Sequence, residues 1–178
     1  VDDWSKRDGR IYRIRPVEAA MGRAKFNLHT AAPEELVGYL EHPNKWFRRR
    51  ASLELYWRGL KGVAPAVATL ARNAANPYAF DAVATLDLLG ALPDELAASL
   101  LQHPDPYIRR WVIRCAGDDH ELSAGLASAV IALAAREPHP EVRTQIFATA
   151  RRLPAVTALP IVRAMLGHEA DILDKRIP

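Results

Sequence analysis

The residues of this chain best suited to chemistry are its arginines, which fall in short runs: Arg48-Arg49-Arg50, Arg109-Arg110, Arg143 and Arg151-Arg152. A guanidinium carries five donors in a planar fork that matches carboxylates and phosphates. Two uses follow. Arg48, Arg49, Arg109, Arg110 and Arg143 could align on stacked helices as a basic interaction surface for phosphates or acidic partner segments. Alternatively, Arg48, Arg109 and Arg143 pair with carboxylates, amides or helix-end carbonyls of adjoining units while the others are solvated, and we favour this bracing use.

Other chemistry-bearing residues are scattered. A metal needs several ligands converging on one point, whereas His29, His42, His103, His120, His139 and His168 are separated by whole helical units, so polar loop or capping roles are expected of them. Asp118-Asp119-His120-Glu121 could hold a cation, but it lies between helices, where acidic residues also favour the next helix N-terminus; capping is the preferred reading. Cys115 is the only cysteine, which excludes an internal disulfide, a cysteine-rich zinc cluster and a Cys-x-x-Cys-His haem attachment site. No Gly-rich phosphate loop, nucleophile elbow or glycosidase carboxylate pair is recognisable from spacing.

The elements that position the arginines repeat. Asn44-Lys45-Trp46-Phe47-Arg48, Asn76-Pro77-Tyr78-Ala79-Phe80, Asp105-Pro106-Tyr107-Ile108-Arg109 and His139-Pro140-Glu141-Val142-Arg143 start 32, 29 and 34 residues apart. Asn44, Asn76, Asp105 and His139 stand at the capping position, and proline in three of the four suits the first helical turn. An apolar or small residue follows three later (Phe47, Ala79, Ile108, Val142) and opens a helical stripe, as in Ile108, Trp111, Val112 and Cys115. A first amphipathic helix precedes each start: Pro33 to Leu40, Val63 to Arg72, Pro93 to Leu101 and Ser123 to Arg136, with a fifth over Ala155 to Leu166. Short proline-bearing connections such as Glu41-His42-Pro43 and Gln102-His103-Pro104 make neighbours antiparallel. Pairs this small must stack on one another to bury both apolar faces.

Composition agrees: 49% apolar and 25% charged residues suit a folded domain, and a formal charge of +3 identifies no partner class. No apolar run approaches the roughly 20 residues needed to cross a bilayer, so no membrane insertion is expected. The first residues are Val1-Asp2-Asp3-Trp4, with neither Met nor a signal core, which reads as an excised segment. Asp8-Gly9 followed by Arg10-Ile11-Tyr12-Arg13-Ile14-Arg15 reads as a strand lacking its partner. At the other end, Asp174 is a fifth cap candidate with Ile177 three residues on, so the chain is expected to stop inside its last repeat.

The order of cap, apolar residue and Arg at Asp105-Ile108-Arg109 and His139-Val142-Arg143 resembles the second helix of HEAT repeats. Gly9-Arg10-Ile11-Tyr12-Arg13-Ile14, Pro33-Glu34-Glu35-Leu36-Val37 and His42-Pro43-Asn44-Lys45-Trp46-Phe47-Arg48-Arg49 together resemble a junction in bacterial PVC-type haem-binding, membrane-bound-dehydrogenase-like proteins, where a β-propeller passes into HEAT repeats. The resemblance covers nearly the whole chain. It implies an all-α, armadillo-like right-handed superhelix of antiparallel helix pairs over residues 17–178, preceded by an extended propeller remnant over residues 1–16. It further implies an exported, periplasmic setting, with the propeller and a cytochrome-like domain as neighbours and haem c elsewhere in the parent protein, none in this segment. Phe80 stands where the pattern has Arg, so an arginine ladder should break there. HEAT-like DNA glycosylases combine a basic concave surface with Trp and a catalytic Asp, and Trp46, Trp57, Asp81 and Asp87 supply such types. Trp111 in an apolar stripe and Asp105 at a cap argue against that chemistry. The expectation is a non-catalytic scaffold or protein-interaction module, with nucleic-acid binding as the alternative.

Overall fold

The structure is a computed structural model and describes residues 26–171. Among the described residues there are nine α-helices and no strand: α1 (Pro33–Tyr39), α2 (Lys45–Trp57), α3 (Ala64–Arg72), α4 (Ala79–Leu88), α5 (Asp94–Leu100), α6 (Pro106–Ala116), α7 (Ala124–Ala134), α8 (Pro140–Ala150) and α9 (Ala155–Met165). Single 3-10 turns precede α3 and follow α9. The expected strand over residues 10–15 and the cap at Asp174 lie outside the described residues.

Local chemistry sets the helix ends. The Asn44 side chain accepts from the Trp46 N–H at 2.9 Å and the Asp105 side chain from the Tyr107 N–H at 2.8 Å, each satisfying a first-turn donor. Pro106 and Pro140 occupy first-turn positions where a missing N–H costs nothing. Helices α2 and α4 end alike: Gly59 (φ 63°) and Gly90 (φ 60°) turn left-handed, and the next N–H, of Leu60 or Ala91, returns to the carbonyl of Leu55 or Leu86 at 2.9 Å. Helix α4 begins two residues later than its cap suggests. Asn76 nevertheless accepts from the Tyr78 N–H at 2.9 Å and donates to the Leu70 carbonyl, so it closes a turn ahead of the helix.

The helices form two layers. Helices α2, α4, α6 and α8 stack in one, while α3, α5, α7 and α9 stack in the other, and each hairpin ties the layers together. Leu36, Leu55, Val67, Leu86, Leu100, Ile113, Val130, Ile146 and Ile161 run through one continuous apolar core. This is an all-α helical-repeat solenoid, and its shared core explains why no pair stands alone.

One stripe differs from its sequence reading. Ile108, Val112 and Ile113 are buried, but Trp111 and Cys115 are only half-buried. The reason is Arg109, which is itself buried on α6 and centres the core face on positions 108, 109, 112 and 113. Trp111 is thereby turned to the edge.

Candidate interaction surface

Three arginines repeat one geometry, built on the short loop before each second helix. Arg48 Nη1 donates to the carbonyls of His42 (2.8 Å) and Pro43 (3.1 Å), six and five residues back. Arg109 does the same to His103 (2.7 Å) and Pro104 (3.0 Å), and Arg143 to Glu137 (3.1 Å) and Pro138 (2.8 Å). The proline in each loop holds the chain extended, so that both carbonyls face the guanidinium. The remaining nitrogens reach forward to the next repeat. Arg48 Nε meets Asp81 at 2.8 Å, Arg109 grips Glu137 through Nε (2.8 Å) and Nη2 (2.6 Å), and Arg143 grips Asp171 through Nε (2.7 Å) and Nη2.

The arginines and Glu137 are buried, while Asp81 and Asp171 are half-buried. Relative exposure is 8%, 9% and 6% for Arg48, Arg109 and Arg143, and 0% for Glu137. Desolvating a guanidinium and a carboxylate is costly, and only good geometry with every donor engaged offsets that cost. Arg48, Arg109 and Arg143 are therefore held by internal partners rather than presented as free cations. Arg49 and Arg110 are exposed, with Arg110 at 3.4 Å from Glu141.

The ladder breaks at Phe80. In the homologous register, the loop two residues before the next cap carries Glu137 opposite Arg109, but His103 opposite Phe80. His103 Nδ1 accepts from the Asp105 N–H at 3.0 Å, while its buried Nε2 has no partner among the described residues. Burial lowers the His103 pKa below its ordinary value, with Asp105 opposing and Arg109 adding to the effect. An anion at position 103 would face no cation at position 80, and neither residue carries a charge. Arg48 has no carboxylate in the following loop, so it uses Asp81 on α4 and lies 4.2 Å over the Tyr78 ring.

The other sequence candidates stay apart. His139 stands at the α8 cap position but makes no side-chain cap bond; instead Glu137 Oε1 accepts from the His139 N–H at 2.9 Å. The α7 cap is Ser123, accepting from the Leu126 N–H at 3.3 Å, rather than the preceding acidic cluster. Within that cluster Asp118 pairs with Arg152 at 2.9 Å and His120 (φ 61°) contacts the Arg152 carbonyl at 3.1 Å. Among the described residues no group of three or more His, Cys, Asp or Glu could hold a metal. Burial pushes the Cys115 thiol up to about 12, and the neighbouring Asp87 adds to it, which keeps it an unreactive thiol. Asp81 is paired with Arg48, and Asp105 is engaged in its cap bond.

Two buried carboxylates escaped the sequence reading. Glu137 is one; its signal was its place directly before the Pro138-His139 loop, matching His42 and His103. Glu54, fully buried on α2, is the other, with His29 at 3.1 Å and Arg50 at 2.6 Å. Burial pushes its pKa up, but His29 and Arg50 outweigh that and hold it below the ordinary carboxylate value.

No curated protein and no solved structure matches the chain. Residues 93–176 match the family model described as HEAT repeats, a span that opens at the start of α5 and takes in both full ladder rungs, Arg109 with Glu137 and Arg143 with Asp171. The stretch from α5 through α9 is a HEAT-repeat segment within an all-α helical solenoid.

Proposed function

We propose that the chain is a non-catalytic scaffold that braces or docks other protein parts through the layer formed by α2, α4, α6 and α8. The observation that carries this reading is the ladder itself. Its guanidiniums are engaged by loop carbonyls on one side and a neighbouring carboxylate on the other, which stiffens the stack and leaves the outward side chains to meet a partner. HEAT repeats in general serve protein–protein interaction, which supports the same reading. The finer proposal, resting on the resemblance at residues 9–14, 33–37 and 42–49, is that the segment sits beside a β-propeller in a dehydrogenase-like parent protein whose haem c is bound elsewhere. Flanking sequence bears on this directly: propeller strands upstream and a Cys-x-x-Cys-His motif are expected.

The test of the scaffold reading is fluorescence anisotropy with single-stranded and duplex DNA at about 150 mM salt, where surface charges are screened beyond roughly 8 Å. Weak, sequence-independent binding is expected. Tight binding that disappears in Arg49→Gln/Arg110→Gln, with the melting temperature unchanged, would establish nucleic-acid recognition instead.

A further inference from the structure

The interrupted ladder leaves a built cleft on the outer face of the second-helix layer. Where Arg would brace, Phe80 emerges, and its ring meets Trp111 edge-on at 5.3 Å. Phe80, Leu53 and Leu88 are each 37% exposed and line the same cleft of about 490 Å³, with Trp111 as its far wall. A second cleft of about 240 Å³ continues across Phe80 and Trp111 towards Tyr107. Large apolar side chains grouped in a concavity on a repeat surface mark a contact site.

Charge identifies what fits. Lys45, Arg48, Arg49, Arg110 and Arg114 line the two clefts against the carboxylates of Asp81 and Asp87 alone. Arg48 neutralises Asp81, so the cations facing solvent around the apolar floor are in excess. Arg49 and Lys45 form no ion pair among the described residues, and the Trp111 indole N–H in the wall has no acceptor there. We propose that this cleft receives an acidic peptide segment of a partner protein, with one bulky apolar side chain seated against Phe80, Leu53 and Leu88 and flanking carboxylates met by Arg49 and Lys45. This deepens, and rests on, the scaffold reading above.

A single-stranded nucleic acid fits less well. Base stacking needs a free ring face, but Arg114 already lies 4.8 Å over Trp111 and Phe80 abuts it edge-on. Backbone tracking needs a row of cations, but Arg109 and Arg143 are turned inward.

The experiment is selection of short random-sequence peptides on the immobilised full chain, with oligo(dT) binding measured in parallel. Enrichment of Asp- and Glu-rich peptides around a single Leu, Phe, Met or Trp is expected, with affinity falling about tenfold or more (about 1.4 kcal/mol) in both Arg49→Glu and Phe80→Ala. Arg49 is exposed, so its variant keeps the fold, and circular dichroism verifies both. Enriched peptides of other composition, or ones indifferent to both substitutions, overturn this cleft while leaving the scaffold reading intact. No enrichment at all, or retention of oligo(dT) more tightly than any peptide, overturns both.

Discussion

Arg109 and Glu137 face each other as a two-pronged fork, Nε to Oε2 at 2.8 Å and Nη2 to Oε1 at 2.6 Å, across the seam between consecutive repeats. Removing one partner strands the other charge in a dry interior. Glu137→Ala is expected to destabilise by about 3–5 kcal/mol. The partly exposed Arg110–Glu141 contact at 3.4 Å supplies the comparison: Arg110→Ala should cost no more than about 1 kcal/mol. Urea denaturation of the two variants checks the order.

The gap in the ladder gives a sharper test. Phe80→Arg alone places a cation opposite neutral His103, and His103→Glu alone buries an anion without a partner. Together they recreate the arrangement of Arg109 and Glu137. A double-mutant cycle should return a favourable coupling of about 0.5–3 kcal/mol, and strict additivity would show that the register drawn from the other repeats does not hold here.

Ile113, Trp111 and Asp105 hold α6 by three different means: core burial, an edge contact and a cap bond. Ile113 is fully buried, and Ile113→Ala should cost about 2–5 kcal/mol. Trp111 is half-buried and in edge contact with Phe80, so Trp111→Ala should cost less, about 2 kcal/mol, and Asp105→Ala about 1 kcal/mol through its lost cap bond. Thermal melts rank the three.

Gly117 lies against α8 so closely that an added Cβ would stand 2.6 Å from the Thr149 methyl. Gly117→Ala should destabilise by about 1–3 kcal/mol through overpacking. Adding Thr149→Ser removes that methyl and keeps the hydroxyl that donates to the Ile113 carbonyl at 3.1 Å. Recovery of most of the loss in the double variant is the expected outcome, read from chemical denaturation.

His103 makes stability depend on pH. Its folded pKa is lowered by burial, so the unfolded chain takes up the proton first as pH falls. The contribution is whole above about pH 6.5, the ordinary histidine value, and is lost as pH drops from there towards the lower folded pKa. Protonation would also remove Nδ1 as acceptor for the Asp105 N–H. His103→Asn can keep an acceptor for that N–H without titrating, as Asn73 does for the Ala75 N–H at 3.0 Å, and should flatten the melting temperature over this window.

Helix positions were legible in the sequence because capping is local: Asn44 and Asp105 act on an N–H two residues away, and proline acts on its own turn. That Arg48, Arg109 and Arg143 stand at one position of the repeat was readable from their place four residues after Asn44, Asp105 and His139. Their partners were not, because Asp81, Glu137 and Asp171 lie 28 to 33 residues on, one on a helix and two around loops. No single spacing describes them. Trp111 was misplaced for a related reason: a charged residue, Arg109, occupies a core position, which an apolar stripe cannot reveal.

Gly117 and Thr149 also bear on how the solenoid bends. Contact between α6 and α8 is reinforced by that close approach, by the Thr149 hydroxyl and, beyond the helix ends, by Arg152 with Asp118. The α2–α4 seam has Arg48 with Asp81 and the Thr85 hydroxyl on Ser52 at 3.0 Å. Between them, the α4–α6 seam has, besides the shared apolar core, the Phe80–Trp111 edge contact and the contact of Cys115 with Asp87, with no ion pair among the described residues. In a linear stack the seams between neighbours set how the whole responds to load. A ligand seated in the cleft at Phe80 would bridge the seam that carries no ion pair among the described residues, and so stand there in place of the missing rung.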